Sequence, residues 1–171
     1  MKLICELNDK IVLGLDGMCD VPPRKTARAI VQRADGLYAV MYAEKFNLYS
    51  LPGGGMEDGE DAETALRREI LEETGCTCEQ IEELGYIMEN RAHQNFTSKS
   101  HYFVVHTQQP MTEIHLTENE KANKTSVQWH PLDEVIRLIS EPKHTTTQRM
   151  YLQARDVAAL NEYLASKNSN P

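Results

Sequence analysis

Three glutamates, Glu69, Glu72 and Glu73, follow a run of three glycines, Gly53 to Gly55, at spacings of one, three and four residues. On a helix, residues three and four apart are neighbours, with roughly 5–6 Å between their Cβ atoms. Like charges that close, half shielded from water, repel and raise one another's pKa unless a cation joins them. An all-oxygen, anionic ligand set suits Mg²⁺ or Mn²⁺ better than zinc, which prefers His and Cys. Magnesium completes its shell with waters and substrate phosphate oxygens, so the substrate such a set implies is a phosphate compound. The glycines add close-approaching backbone, able to offer carbonyls to a metal or amides to a phosphate.

The element that must position these groups is a helix from Ala62 to Thr74, a stretch free of glycine and proline and rich in Ala, Leu, Arg and Glu. Asp61 is placed to cap its first turn, and Gly75 to end it in a left-handed conformation. At about 100° per residue, Ala62, Leu66 and Ile70 form one apolar line. Glu69 and Glu73 fall beside that line, with Glu72 one step further round. An acidic face serving only solvation points away from the core stripe; this one borders it. The alternative for such a cluster, taken alone, is an exposed helix with ordinary i, i+4 pairing.

The wider pattern narrows the choice. Gly54, Glu60, Arg68-Glu69-Ile70, Glu72-Glu73 and Gly75 fall in order, with Cys76 in a final slot that usually holds a larger aliphatic residue. The chain resembles the Nudix hydrolases, matching their box at every fixed position, and the resemblance covers roughly residues 25–140. It implies an α+β fold, a mixed β-sheet sandwiched between α-helices (α/β/α). It also implies Mg²⁺-dependent hydrolysis of a diphosphate linkage in a nucleoside triphosphate or nucleoside diphosphate derivative, with Mn²⁺ as a substitute. Glu69, Glu72 and Glu73, with the Gly53 carbonyl, are the implied metal ligands. The catalytic set is Glu69, Glu72, Glu73, Arg68 and Glu120. Glu69 is ligand or base, while Arg68 and Glu60 buttress the carboxylates. Glu120 is the candidate for a further carboxylate from the loop before the last strand, with Glu118 in reserve; an ordinary solvated glutamate is the alternative. Substrate contacts are expected from Arg28, Gly54, Gly55, Glu89 and Arg91. The family's downstream tags for ADP-ribose and NADH are missing, Tyr86 and Tyr102 are the tyrosines available for its dinucleoside-polyphosphate tag without a fixed alignment, and the group attached to the diphosphate stays open. The same fold also serves as a non-catalytic nucleotide-ligand module, usually with an eroded box or a fused DNA-binding domain; this chain shows neither. A diphosphate isomerase would need Cys, His and Glu positions with no counterpart here.

At 171 residues the chain is long enough for one cored domain. The expected division is an N-terminal extension over 1–24, the Nudix domain over 25–140, and a C-terminal helix with a short disordered tail over 141–171. A net charge of −8 argues against binding to a nucleic-acid polymer. The polar start, MKLICELNDK, is no signal peptide, and no apolar run suggests a membrane span. The four cysteines show no metal spacing and fit reduced thiols in a cytoplasmic protein.

Strands are expected over 26–32 and 37–43 around the turn Ala34-Asp35-Gly36, then over Leu84–Arg91 and His101–Thr107 joined by a polar loop, His93–Ser100. Ile11-Val12-Leu13 and Leu15-Asp16-Gly17 read as a short hairpin. Phe46 and Tyr49 are expected in the core, with base stacking as the alternative. Arg28 is either an edge arginine or a phosphate contact. Glu89 and Arg91 share a strand face, so they are either a ligand-facing pair or a solvent salt bridge. Residues 108–126 read as a polar loop, VQWHPL as a strand with Trp129 in the core, and Leu132–Ile139 as an amphipathic helix. A second helix, Thr145–Ala165, carries an apolar stripe of Met150, Ala154, Val157, Ala158, Leu160 and Leu164. It can cover the sheet or pack against a partner chain, so a homodimer is open. SKNSNP reads as a disordered end.

Overall fold

The computed structural model describes residues 1–110 and 112–169. Eight strands form one sheet: β1 (Leu3–Asn8), β2 (Arg24–Arg33), β3 (Tyr38–Ala43), β4 (Leu48–Ser50), β5 (Gly53–Gly55), β6 (Gln80–Arg91), β7 (Phe96–Thr107) and β8 (Thr125–His130). Five helices accompany it: α1 (Asp9–Leu13), α2 (Ala62–Thr74), α3 (Glu118–Ala122), α4 (Leu132–Ser140) and α5 (Thr147–Ser169). The main path runs β1-β6-β7-β2-β3-β4, with β8 on β3 and β5 on β2. The β1–β6 and β2–β7 pairs are parallel and the others antiparallel, so the sheet is mixed. One feature of β2 organises the site. Its C-terminal end pairs with β3 at Gln32, while its N-terminal half, Thr26 to Arg28, pairs with the glycine strand β5.

Alternation along β2 divides the interior. Ala27, Ala29 and Val31 face α2, where Ala65, Leu66 and Ile70 pack against them with Phe103 and Val105. The small alanines let that helix lie close to the sheet. On the other face, Ile30, Tyr38, Val40 and Tyr102 meet Val135 and Ile139 of α4 and Tyr151 and Leu160 of α5. The sheet therefore lies between helices, as the resemblance implied.

Several local expectations are corrected. Ile11–Leu13 belong to α1 rather than a hairpin, because the Asn8 side chain accepts from the Ile11 amide and Gly14 closes the turn at φ 73°. Residues 3–8, read as part of an extension, form a strand of the same sheet. Phe96–Ser100 extend β7 instead of forming a loop: Phe96 and Ser98 line a cleft, Thr97 and Ser100 are buried with hydrogen-bond partners at Val21 and Thr26, and only a turn at Ala92–Gln94 separates β6 from β7. The stretch 108–126 holds α3, whose Thr117–Glu120 capping box a loop reading overlooked; Met111 in it lies outside the described residues. The disordered end expected over 166–171 is corrected for residues 166–169, which continue α5, whereas Asn170 and Pro171 lie outside the described residues. The buried face of α5 is Tyr151, Arg155, Asp156, Ala159, Leu160 and Tyr163; of the expected stripe Leu160 is buried and Ala154, Val157 and Ala158 pack half-buried on the core, while the polar members are buried because each finds a partner inside. Trp129 is half-buried, with the Arg33 guanidinium 4.5 Å from its ring centroid.

Candidate active site

The helix that carries the glutamates forms as its caps dictate. Asp61 Oδ1 accepts from the Thr64 amide at 2.7 Å, and Gly75 ends the helix at φ 70° with its amide donating to Leu71 O. Burying Leu66 and Ile70 contributes about 1.5–3 kcal/mol each and fixes the helix's rotation against β2. That rotation drives Glu73 inward.

Glu73 is 6% exposed, and its Oε2 accepts from the Gly53 amide at 2.6 Å. Among the described residues, no lysine or arginine hydrogen-bonds to it. Burial pushes its pKa up to about 8, against the pull of the Gly53 amide and the more distant Arg28 charge. Glu69 is also raised, chiefly by burial, although Arg68 Nη1 donates to it at 2.7 Å. Glu72 lies at the rim, its side chain 38% exposed, with Arg68 Nη1 at 3.4 Å. Arg68 spends the rest of its guanidinium on Glu60, at 2.9 and 3.0 Å, and on the Gly55 carbonyl at 3.0 Å. That fork holds the Glu60 carboxyl down at about 2.

The glycine strand explains how carboxylates from one face of the sheet reach a cleft on the other. A Cβ at Gly54 would stand 2.5 Å from the Glu69 carboxylate, and one at Gly53, where φ is 126°, would overlap the Ala27 carbonyl. β5 is thus a window without side chains. It opens into a cleft of 760 Å³, lined by Arg28, Glu69, Glu89, Arg91, Glu120 and Arg155 among others. That volume suits a nucleotide-sized ligand.

Of the residues singled out in the sequence, Arg28, Gly53, Gly54, Gly55, Glu69, Glu89, Arg91 and Glu120 share this wall. Glu89 and Arg91 pair at 2.7 Å, both buried, so the solvent salt bridge is ruled out. Glu120 accepts from the Thr117 amide at 2.7 Å as part of the α3 cap, whereas Glu118 is exposed beside Lys121. Neither Phe46 nor Tyr49 lines the cleft. Tyr49 stacks on Tyr42 and packs on the core, and Phe46 lies beneath Arg149 at the surface, contrary to its core expectation. Sequence reasoning missed Arg155 and Asp156. Their signal was position: Arg155 sits midway between Tyr151 and Ala159 on one buried helical face.

A divalent cation fits the residues present. Among the described residues no three His, Cys, Asp or Glu side chains already converge, since Glu69 is turned to Arg68 and Glu73 to a backbone amide. The donor set is nonetheless all oxygen, and Glu73 is a buried carboxylate short of positive charge.

A model of the NUDIX domain matches residues 22–153. The chain belongs to the Nudix family. It is 37% identical over 73 residues to an RNA pyrophosphohydrolase of Dinoroseobacter shibae, a match spanning 40% of this chain and 44% of that protein. The matched stretch is thus less than half the length of this relative. In three dimensions it is similar to a Nudix hydrolase from Nitrosomonas europaea, with TM-score 0.62, 21% identity, and 85% of this chain and 91% of that one covered. The ORF135 protein of E. coli is similar with TM-score 0.60, 19% identity, and coverage of 88% and 95%. At such identities these neighbours speak for the Nudix fold. Among the described residues, no helix is long and apolar enough to cross a membrane.

Proposed function

We propose that this Nudix protein is a pyrophosphohydrolase that cleaves the diphosphate linkage of a small nucleotide-type substrate with Mg²⁺, Mn²⁺ being able to substitute. The observation that carries this reading is Glu73, a buried carboxylate without a cationic partner at a glycine window into an arginine-lined cleft. Family membership and the relative's name, with its phosphoanhydride chemistry, support it.

In this reading Glu69, Glu72, Glu73 and the Gly53 carbonyl hold the cation, which supplies charge neutralisation at the phosphates and a more acidic water. Arg68 holds Glu69 and Glu60 in register. Arg28 binds phosphate oxygens from the sheet side, and Arg91, paired with Glu89, contacts the substrate further along the cleft. Gly54 and Gly55 admit the phosphate chain against the backbone. Either Glu69 or Glu120 accepts the proton of the attacking water, since both carboxylates face the cleft. Arg28, on the strand that pairs with the glycine window, withdraws charge from the departing phosphate. With a net charge of −8 the preferred substrate is a small molecule rather than a nucleic-acid polymer, in a cytoplasmic setting.

The test is phosphate or pyrophosphate release from a panel of nucleoside triphosphates, nucleoside diphosphate conjugates and a 5′-triphosphorylated oligonucleotide, under Mg²⁺, Mn²⁺ and EDTA. Metal-dependent release from a small nucleotide is expected. Exclusive turnover of the oligonucleotide would overturn the small-molecule assignment. Silence across the panel, with a nucleotide still raising the melting temperature, would make the protein a binding module.

A further inference from the structure

The cleft contains more positive charge than one diphosphate requires. Among the described residues, the buried side-chain nitrogens without a hydrogen-bond partner are Arg28 Nε, Arg91 Nε and Arg155 Nη2. All three belong to arginines of the cleft wall. Arg91 is 7% exposed and Arg155 3%, and buried donors are otherwise almost always satisfied. The bonds they do make hold them in place. Arg91 Nη2 donates to Glu89 Oε1 at 2.7 Å, and the guanidinium lies over the Tyr151 and Phe96 rings. Arg155 Nε donates to Asp156 Oδ1 at 3.2 Å, with Glu89 Oε2 3.9 Å from Nη1. Ser98 donates to the same Glu89 oxygen, so that carboxylate has little left to give. Arg91 and Arg155 share Glu89 and Asp156, and Arg28 feels the Arg155 charge as a repulsion on top of its burial, eased by Asp156 and Glu73.

Strand order sets the scale. β5, next to the carboxylate helix, flanks β2 on one side; β7 and then β6 lie on the other. Arg28 on β2 and Arg91 on β6 are two strands apart, and the register, with Arg28 opposite Tyr102 and Arg91 opposite Phe96 of β7, also sets them six residues, about 20 Å, apart along the strands. Arg91 thus lies towards the opposite end of the cleft from Glu69, while Arg155, beside Glu89 and close enough for its charge to act on Arg28, links the two ends.

We propose that Arg91 and Arg155, with Arg155 as the link towards Arg28, form a subsite for a second phosphoryl group of the substrate, beyond the diphosphate held at the carboxylate helix. This deepens the hydrolase reading and rests on it for the word substrate. The phosphoryl group could come from a longer polyphosphate chain or from a phosphomonoester on the sugar, since both present the same oxygens to the forks.

Binding to the full chain in EDTA, where the carboxylate helix holds no metal, isolates the subsite. Calorimetry with inorganic tripolyphosphate at constant ionic strength is expected to show saturable binding, alike for wild type and Glu73→Gln. Arg91→Lys and Arg155→Lys, which keep the charge but lose the fork, are expected to weaken it about tenfold or more. No saturable binding by wild type, or undiminished binding by both arginine variants, would overturn the subsite. Should the variants fail to fold, the Nε–H resonances of Arg28 and Arg91 in the wild type decide: tripolyphosphate shifts them if the proposal holds and leaves them unmoved if it fails. A nucleoside triphosphate and an adenosine 3′,5′-bisphosphate then separate the two sources, the tighter one naming the phosphoryl group. Hydrolysis without binding in EDTA sinks the subsite alone, whereas binding without hydrolysis sinks the hydrolase and keeps the subsite.

Discussion

Two buried carboxylates sit on opposite faces of the sheet, Glu73 on α2 and Asp156 on α5, and their surroundings differ sharply. Asp156 accepts from the Tyr102 hydroxyl at 2.6 Å, the Leu51 amide at 2.9 Å and Arg155 Nε at 3.2 Å. Glu73 accepts from one backbone amide. One acid is saturated by the fold and ties α5 to the strand leading into the glycine window. The other is left short of charge at that window. A fold tolerates a starved buried carboxylate when something outside the chain completes it, which is why Glu73 points to function and Asp156 to architecture.

The comparison can be broken first at Asp156. Its replacement by Ala strands Tyr102, Leu51 N and Arg155 together, and chemical denaturation is expected to show a loss of about 3–5 kcal/mol; a loss under 1 kcal/mol would mean Asp156 is not the tie it looks to be. The glycine window offers the next contrast. Gly54→Ala meets only the movable Glu69 carboxylate, so turnover is expected to fall about tenfold or more, with little change in melting temperature. Gly53→Ala meets backbone at positive φ and should lower the melting temperature itself.

A third buried acid sharpens the rule. For Asp9 burial alone would raise the pKa, but hydrogen bonds from the His93 amide, the Tyr151 hydroxyl and the His93 ring outweigh it, and the net direction is down. Its contribution is therefore present above the ordinary aspartate range and lost as pH falls through the depressed folded value. Urea titrations from pH 6 downward should show wild type losing more stability than Asp9→Asn, and parallel curves would contradict that sign. The smallest effect is expected at Glu118→Gln, where an exposed pair with Lys121 adds little, so neither melting temperature nor activity should move.

How far the sequence could be read follows the same divide. The helix Ala62–Thr74 was legible to the residue because Asp61 and Gly75 are strong local signals and the burial of Leu66 and Ile70 follows one period. The hairpin around Ala34-Asp35-Gly36 was legible for the same local reason. Phe96–Ser100 misled because small polar strand residues look like a loop, and their partners, Val21, Glu89 and Thr26, lie on other segments. Arg155 and Asp156 were missed because charge reads as surface, and only partners distant in sequence, Tyr102 and Leu51, make their burial affordable. Glu89 and Arg91 were found as a pair, but their burial depends on β7 and α5 and so could not be seen in β6 alone.

The most direct test of the contrast is to measure melting temperature and metal-dependent turnover together for Glu73→Gln. An amide keeps the Gly53 hydrogen bond while removing the charge. The melting temperature in EDTA should match or exceed the wild type's, and Mg²⁺-dependent phosphate release should fall about a hundredfold or more. Turnover near the wild-type level would contradict the assignment of Glu73 as the carboxylate that a cation completes.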